Sequence, residues 1–275
     1  MENIPYNEVK HICFLMDGDR TYAIIKKSDK LEFNEYAYYS GALSLERLMS
    51  MTFDKLKIKY LSLNLIGRRN CIKRPESVKH IVRLVPKFFG KKWIEYFKRN
   101  KIRVKFVGDL DLFAKFGDSP DDVKYEIRKI EAMTSDFSDF HLILMAAYEP
   151  AYEYMRLSRS IRLDNIEEMK KHYYGFEVPD ADIVIRSWRP KLSGCLPIMV
   201  SDYANMYFYT APFQYFKLND LKAIVTDHLE RNSSASTSYG DEEIKTIRKF
   251  HKKIERGRVF VLGKKINNVW FPFTK

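Results

Sequence analysis

Short apolar runs alternate along the chain with longer stretches in which apolar residues recur at helical spacing. Most of these runs are continuously apolar, which is typical of strands buried on both faces of a mainly parallel sheet. Parallel strands need crossover helices between them, so the pattern predicts an α/β fold. The predicted strands are His11–Met16, Tyr60–Ile66, Ile102–Val107, Phe140–Ala147, Ile183–Arg186 and Asn205–Tyr209.

Helical spacing of apolar residues predicts a helix in most of the intervals between these strands. Pro75 suits the first turn of its helix, and Pro86 is expected to kink or divide the same helix. Asn219 is expected to be an N-cap. The predicted helices are Gly41–Leu56, Pro75–Arg99, Asp121–Thr134, Tyr152–His172 and Asn219–Arg231.

The C-terminal part of the chain differs from the rest in composition. Residues 232–240 form a Ser-rich polar run that reads as a flexible loop, and a basic helix is predicted over 241–253. The last apolar stretch predicts two short strands or an extended arm. With no convincing linker elsewhere, we expect one α/β domain over 1–240, followed by a basic appendage over 241–275.

Composition narrows the class of protein. Hydrophobic residues make up 45% of the 275 and charged residues 31%, the balance of a globular chain. The net charge of +12 implies an anionic partner, either nucleic acid, acidic lipid or a phosphorylated small molecule. Three widely separated cysteines argue against a zinc ribbon or a disulfide framework. With no signal-peptide pattern and no apolar run near the ~20 residues that span a bilayer, we expect a cytoplasmic protein.

The most informative segment follows the first predicted strand. Asp17 can hold Mg²⁺ through a carboxylate oxygen, Gly18 lets a phosphate approach the backbone, and Arg20 can pair with phosphate oxygens. The alternative is an acidic turn after a strand, because Asp-Gly is a common turn dipeptide. Neither common nucleotide-binding loop occurs, nor does a G-x-S-x-G or H-E-x-x-H motif. The histidines are single, and His141 inside a strand fits a core position better than a catalytic one.

Several segments match, in order, the motifs of one family over roughly residues 11–231. The first motif of that family is close to H-x-x-x-x-M-D-G-N-x-R-W-A. The matching segments here are His11 with Met16-Asp17-Gly18-Asp19-Arg20, Ser40-Gly41-Ala42, Asn70 with Arg74-Pro75, Gly108-Asp109, Asp182-Ile183-Val184-Ile185-Arg186 and Tyr203-Ala204. The chain thereby resembles the cis-prenyltransferases, the undecaprenyl and dehydrodolichyl diphosphate synthase-like proteins.

The resemblance implies a single α/β domain with a mainly parallel six-stranded sheet, flanking helices and an elongated apolar cleft. It also implies an Mg²⁺-dependent enzyme that joins an allylic prenyl diphosphate to isopentenyl diphosphate, as a homodimer or paired with a homologous subunit. Peripheral membrane contact is expected, because a long prenyl product must leave into lipid. No nucleic-acid partner is expected, because the basic run from Lys245 to Lys265 carries no recognised nucleic-acid-binding signature.

The same resemblance assigns roles to residues. Asp17 corresponds to the aspartate that binds Mg²⁺, and Gly18, Asp19 and Arg20 fall in the phosphate-binding loop. Asn70 matches an asparagine implicated in proton removal or positioning. The remaining matches are arginines: Arg74 near the allylic phosphate and Arg186 on the diphosphate of the acceptor.

The chain departs from the family at functional positions. Asp19 replaces asparagine, Tyr38 replaces the histidine that opens the second helix, and Cys71 replaces tryptophan. Only Arg186 keeps its place in the acceptor motif. Leu192 replaces a second arginine, Gly194 a serine, and Asn205 a glutamate that in relatives helps to hold Mg²⁺.

Two interpretations of the altered acceptor motif compete. Arg189 and Lys191 could supply the lost positive charge, with Trp188 in place of a glycine reshaping the pocket. Alternatively, isopentenyl diphosphate is no longer the acceptor. We favour an active but atypical prenyltransferase whose acceptor is isopentenyl diphosphate, another isoprenoid or an alcohol. The alternative is a catalytically silent subunit that supports an active partner.

Overall fold

A computed structural model describes residues 4–26, 33–160, 165–191, 203–233, 241–242, 244–246, 248–249, 263–266 and 269–272. The chain divides into two compact units, Met1–Thr226 and Asp227–Lys275. A domain boundary at residue 240 stays a prediction.

The first unit is built on a six-stranded parallel sheet with the strand order β3-β4-β2-β1-β5-β6. Every predicted strand is confirmed, with its ends within one residue. Continuous burial explains this agreement, because β1, β4 and β5 have almost no exposed side chains. The strands are β1 (His11–Leu15), β2 (Tyr60–Gly67), β3 (Ile102–Val107), β4 (Phe140–Tyr148), β5 (Ile183–Ser187) and β6 (Asn205–Tyr209).

Helices lie between successive strands from β1 to β5, and a further helix follows β6. They are α1 (Asp19–Lys26), α2 (Phe33–Met49), α3 (Arg68–Lys73), α4 (Pro75–Phe88), α5 (Lys91–Arg99), α6 (Leu110–Ala114), α7 (Pro120–Thr134), α8 (Pro150–Ser160), α9 (Ile166–Tyr174) and α10 (Leu218–Ser233). A π-helical segment, Ser50–Lys55, extends α2. Short 3₁₀ turns cover Tyr6–Glu8 and Phe213–Tyr215.

Several helix predictions needed correction. The helix predicted from Gly41 begins at Phe33, and α10 begins one residue before Asn219, so Asn219 is not its N-cap. The predicted helix from Tyr152 to His172 is wrong, because α8 and α9 are separate helices. The Asn165 side chain starts α9 by accepting the Glu168 N–H at 2.8 Å. The division predicted near Pro86 falls at Gly90 instead, whose carbonyl accepts the first N–H groups of α5.

The order of the strands places a crevice beside β1. From β1 the chain moves to β2 on one side, and after β4 it crosses to β5 on the other side of β1. In open parallel sheets, ligands bind outside the carboxyl ends of the strands where the direction of travel reverses. Leu15 near the end of β1 pairs with Arg186 near the end of β5, so the loops that follow these strands meet there.

The second unit contains a two-stranded antiparallel hairpin of β7 (Gly263–Ile266) and β8 (Val269–Pro272). This confirms the strand alternative for the last apolar stretch. Of the basic helix predicted over 241–253, residues 241–242, 244–246 and 248–249 are helical, and the others lie outside the described ranges. Among the helices that the structure describes, none is long and apolar enough to cross a bilayer.

Candidate active site

Asp17 stands at the crevice, in the loop between β1 and α1. Its main chain is fixed from β5, because Ser187 Oγ accepts the Asp17 N–H at 2.8 Å and donates to the Asp17 carbonyl at 3.0 Å. The Phe213 N–H donates to the same carbonyl at 3.2 Å. Gly18 follows with φ +103°, and a Cβ there would lie 2.7 Å from Pro212 Cα. The loop therefore requires glycine at this position, both for its conformation and for space.

The Asp17 carboxylate and the Arg186 guanidinium form an ion pair across β1 and β5. Arg186 Nη2 donates to Asp17 Oδ2 at 2.5 Å, while the Gly18 N–H donates to Asp17 Oδ1 at 2.8 Å. The Asp17 side chain is 41% exposed and the Arg186 side chain 5%. The site therefore presents an accessible carboxylate to solvent and keeps a cation behind it.

Asp19 begins α1 and turns inward. Its Oδ1 accepts from Gln214 Nε2 at 2.8 Å, and a Cβ added to Gly41 of α2 would lie 2.5 Å from the same oxygen. Burial, together with the charge of Asp17, raises the Asp19 pKa to about 7. The Asp19 carboxyl group thus readily carries a proton near neutral pH.

Tyr38 connects the loop to the cations across the crevice. Burial raises the pKa of the Tyr38 hydroxyl, which hydrogen-bonds to Ser77 and experiences the charges of Asp19, Arg20 and Arg74. Arg20 on α1 and Arg74 after α3, both exposed, therefore lie close enough to Tyr38 for their charges to act on it. Asn70, one turn before Arg74, is exposed on α3, and none of the contacts in the described ranges joins its side chain to Asp17 or Arg186.

The segment after β5 carries the predicted acceptor residues. Trp188 has φ +69°, a left-handed conformation that is strained for a residue with a Cβ. Its N–H bridges the carbonyls of Tyr209 at 2.8 Å and Ala211 at 3.0 Å. Arg189 and Lys191 are exposed, and the Arg189 carbonyl accepts from Arg186 Nε at 3.4 Å. Leu192 and Gly194 lie outside the described residues.

Asn205 does not join the site. It is the first residue of β6 and pairs with Ile183, the first residue of β5, at the amino edge of the sheet. Asp17 and Ser187 lie at the carboxyl edge. That position 205 stands in place of a metal-binding glutamate of the family stays a prediction.

An apolar pocket opens beside the loop. Met16 and Asp19, on either side of Asp17, line it together with Tyr38, and Asn64 adds a further polar residue. The pocket has about 720 Å³ of empty space, part of it open to solvent. Such a wall suits an isoprenoid chain, whose transfer from water to an apolar surface is favourable. The apolar lining includes Leu45, Ile81, Leu84, Val85, Phe89, Phe97, Leu142 and Leu144.

The donor set fits a metal ion that arrives with phosphate. Mg²⁺ is commonly bound by one or two carboxylates plus substrate phosphates. Asp17 supplies one accessible carboxylate, with Asp19 nearby. Within the residues that the structure describes, no group of three or more His, Cys, Asp or Glu could hold a metal by itself. These residues therefore suit Mg²⁺ shared with a diphosphate and do not form a complete protein cage.

Comparison with known proteins identifies the family. The family model described as "Putative undecaprenyl diphosphate synthase" matches residues 15–235, most of the chain. The chain belongs to the cis-prenyltransferase family. As a cis-prenyltransferase it is a transferase of prenyl groups in isoprenoid biosynthesis, and its sheet and flanking helices are those of the family.

Individual relatives agree over most of their length. The tritrans,polycis-undecaprenyl-diphosphate synthase (geranylgeranyl-diphosphate specific) of Thermoplasma volcanium is 27% identical over 82% of this chain and 88% of its own. An isoprenyl transferase of Helicobacter pylori, strain 26695, is 25% identical over 82% of this chain and 95% of its own. The crystal structure of lavandulyl diphosphate synthase from Lavandula x intermedia, in complex with dimethylallyl diphosphate, shares the fold. It has a TM-score of 0.67 and 19% identity, covering 80% of this chain and 94% of that one.

Sequence reasoning missed residues that position the site. Ser187 directly follows Arg186. The sequence could have identified it, because a parallel sheet places the end of this strand at the same edge as the end of β1. Gln214 and Pro212 gave no such signal. They reach the loop through the 3₁₀ turn that follows β6, whose position depends on the packing of the whole sheet edge.

Proposed function

We propose that this cis-prenyltransferase ionises an allylic prenyl diphosphate with Mg²⁺ and transfers the prenyl group to an acceptor. The observation that carries the proposal is the Asp17–Arg186 pair at the opening of an apolar pocket. A carboxylate, a guanidinium and an apolar wall in one place match the three parts of the ligand: metal, diphosphate and isoprenoid chain.

The donor half of the site would act by placing positive charge next to the leaving diphosphate. When bound, Mg²⁺ neutralises charge on the leaving diphosphate, and Asp17 is the residue that would hold it. Arg20 and Arg74, whose charges act on Tyr38 in the pocket lining, would bind the remaining phosphate oxygens, with Gly18 allowing close approach of the backbone. The bond between the allylic carbon and the diphosphate oxygen breaks with its electron pair on the diphosphate. Fixed positive groups at that point favour this charge development.

The acceptor half would be altered relative to the family. Arg186, near the end of β5, and Arg189 and Lys191, which follow the strand, would bind an anionic acceptor such as isopentenyl diphosphate. The electron pair of the new bond comes from the acceptor, from the double bond of an isoprenoid or the oxygen of an alcohol. The acceptor then loses a proton, and Asn70 is the residue proposed to position it for removal. For that last role α3 must bring Asn70 close to the reacting carbon, because the Asn70 side chain is exposed and has no described contact with Asp17 or Arg186.

One observation favours a second candidate function. Trp188 places an indole on a strained backbone where the family has glycine, beside the arginine expected to bind the acceptor. An indole in the place where the family binds the acceptor is compatible with a catalytically silent subunit that supports an active homologue. The two candidates differ in whether the chain turns over substrate by itself.

Assembly and location extend the same proposal. Family membership supports a homodimer or a pair with a homologous subunit, and a cytoplasmic enzyme that contacts membranes peripherally when it releases product. The net charge of +12 favours contact with anionic headgroups over neutral ones.

The decisive experiment is product analysis with purified protein, Mg²⁺ and a panel of labelled allylic diphosphates. Each donor is tested alone, with isopentenyl diphosphate and with a prenyl alcohol, while pyrophosphate release is measured. Asp17→Ala should lower turnover by about a hundredfold or more. Asp118→Ala, which removes an exposed aspartate that pairs with Arg83, should leave it unchanged. Equal rates in wild type and Asp17→Ala would contradict the role of Asp17. No turnover alone, with recovery on mixing with an active homologue, would favour the silent subunit.

A further inference from the structure

We propose that Arg186 competes with the metal for Asp17, so that the site binds Mg²⁺ together with a diphosphate and only weakly before it. The inference rests on the proposed function and specifies its ligand: the metal–diphosphate complex is bound as one unit. It is drawn from the ion pair between β1 and β5 and from the loop that holds Asp17 in place.

Both carboxylate oxygens of Asp17 already have partners. Oδ2 accepts from Arg186 Nη2 at 2.5 Å, and Oδ1 accepts from the Gly18 N–H at 2.8 Å. A metal ion at Asp17 would therefore take the place of one of these donors or share an oxygen with it. Sharing Oδ2 would bring a divalent cation close to a guanidinium, and like charges at that distance repel.

The loop fixes the main chain of Asp17 and, through the Gly18 amide, one oxygen of its carboxylate. Ser187 Oγ contacts the Asp17 N–H and carbonyl at 2.8 and 3.0 Å, and the Phe213 N–H contacts that carbonyl at 3.2 Å. The Gly18 amide, fixed in the next residue, orients Oδ1. Oδ2 is therefore the oxygen for which Arg186 and the metal compete.

Arg186 cannot leave Asp17 for bulk water at little cost. Its side chain is only 5% exposed, and a buried cation without an anionic partner is strongly destabilising. A diphosphate bound at the crevice changes this balance, because its oxygens accept both prongs of a guanidinium fork. Diphosphate would draw Arg186 away from Oδ2 and free that oxygen for the metal. Binding of the two ligands is then coupled, and the coupling is reciprocal.

The test measures metal binding without turnover. Mn²⁺ is titrated into apo protein and the free ion is followed by electron paramagnetic resonance, for wild type, Arg186→Gln and Arg189→Gln. We expect Arg186→Gln to bind Mn²⁺ about tenfold more tightly than wild type when no diphosphate is present. Arg189→Gln removes the same charge from an exposed position nearby and should stay within about twofold of wild type. Unchanged or weaker binding in Arg186→Gln, or equal tightening in both variants, would overturn the proposal.

Two further measurements test the competition without relying on Arg186→Gln. In Asp17→Asn, Mn²⁺ binding should be lost, and binding that persists would place the metal elsewhere and refute the competition. On wild-type protein, thermal unfolding is followed with Mg²⁺, with inorganic pyrophosphate, and with both. The increase in Tm with both should exceed the sum of the separate increases, and a full increase with Mg²⁺ alone would contradict the inference. Because none of these readouts involves prenyl transfer, failure of the competition and failure of the proposed activity are distinguishable.

Discussion

The hydroxyl of Ser187 makes two hydrogen bonds to the main chain of Asp17, one as acceptor and one as donor. It is fully buried at the end of β5, whereas Asp17 follows β1. The position of the carboxylate is thus fixed by two neighbouring strands, and the site depends on their pairing at Leu15 and Arg186.

Ser187→Ala removes both hydrogen bonds and leaves the Asp17 N–H buried without that partner. We expect the free energy of unfolding to fall by about 1–3 kcal/mol. We also expect kcat to fall by about tenfold, because the carboxylate is no longer held in one geometry. The measurements are chemical denaturation and steady-state kinetics. Ser158→Ala, which removes an exposed hydroxyl bonded to the Met155 carbonyl, is the control and should change neither value. A kcat equal to wild type in Ser187→Ala would show that this contact does not position Asp17.

Gly18→Ala tests whether the loop needs glycine for space as well as for conformation. Gly18 has φ +103° and its added Cβ would meet Pro212 Cα at 2.7 Å, whereas Gly175 has φ +76° and open space around its Cβ. Gly175→Ala should therefore cost about 1 kcal/mol of unfolding free energy, from conformation alone. Gly18→Ala should cost about 2 kcal/mol or more, because Pro212 must also move. Equal losses in the two variants, measured by urea denaturation, would mean that the contact with Pro212 is easily relieved.

Replacing Trp188 separates backbone strain from the loss of the indole. Trp188→Ala and Trp188→Gly remove the same ring, but only glycine is relaxed at φ +69°. Trp188→Gly should therefore be more stable than Trp188→Ala by about 1 kcal/mol in thermal or chemical unfolding.

If the indole narrows the acceptor loop, both Trp188 variants should also lower the KM for isopentenyl diphosphate to a similar extent. An unchanged KM in both would show that the ring does not limit acceptor binding. Greater stability of the alanine variant would indicate that the left-handed backbone is not strained.

Acid sensitivity is expected from two buried histidines at the amino edge of the sheet. Burial lowers the pKa of His11 and of His141 to about 4, with Lys59 and Arg103 adding to the effect at His141. The unfolded chain binds these protons below pH 6.5, and the folded chain does not. Stability is therefore full above that pH and falls as the pH drops toward about 4, by roughly 3 kcal/mol at most for each histidine.

His141→Phe should reduce the loss of stability between about pH 7 and about pH 5, because it removes one of the two titrating groups. Phenylalanine suits a side chain stacked between Tyr60 and Phe176, with ring centroids at 4.4 and 5.0 Å. Unfolding free energies measured across this range give the slope. His172→Gln, an exposed substitution on α9, should leave the slope unchanged. A slope in His141→Phe equal to that of wild type would contradict the assignment.

The elements that the sequence predicted well are those whose formation depends mainly on one feature of the sequence. Strands such as β4 are almost wholly buried, so a continuous apolar run is their direct signature. Helix α1 was missed because Ala23 is the residue it buries, and one buried position gives no period. The division between α8 and α9 is marked in the sequence by Asn165, an N-cap with a glutamate three residues later.

The site was predicted in its parts and not in its arrangement. Asp17 and Arg186 were both identified by motif, but their contact depends on β5 lying next to β1, which no local pattern encodes. The same dependence explains why the location of Asn205 at the amino edge was not predicted, because a motif gives the order of residues and not the sheet edge at which each one lies.

The strand order also bears on how this enzyme could change its chemistry over time. The apolar pocket is lined by β2, β4 and helices α2, α4 and α5, whereas the residues proposed for the second substrate lie at the end of β5 and after it. Asp17, in the loop after β1, pairs with Arg186 between these two regions. Substitutions after β5 can therefore accumulate without altering the pocket lining, which gives the fold a modular route to new co-substrates.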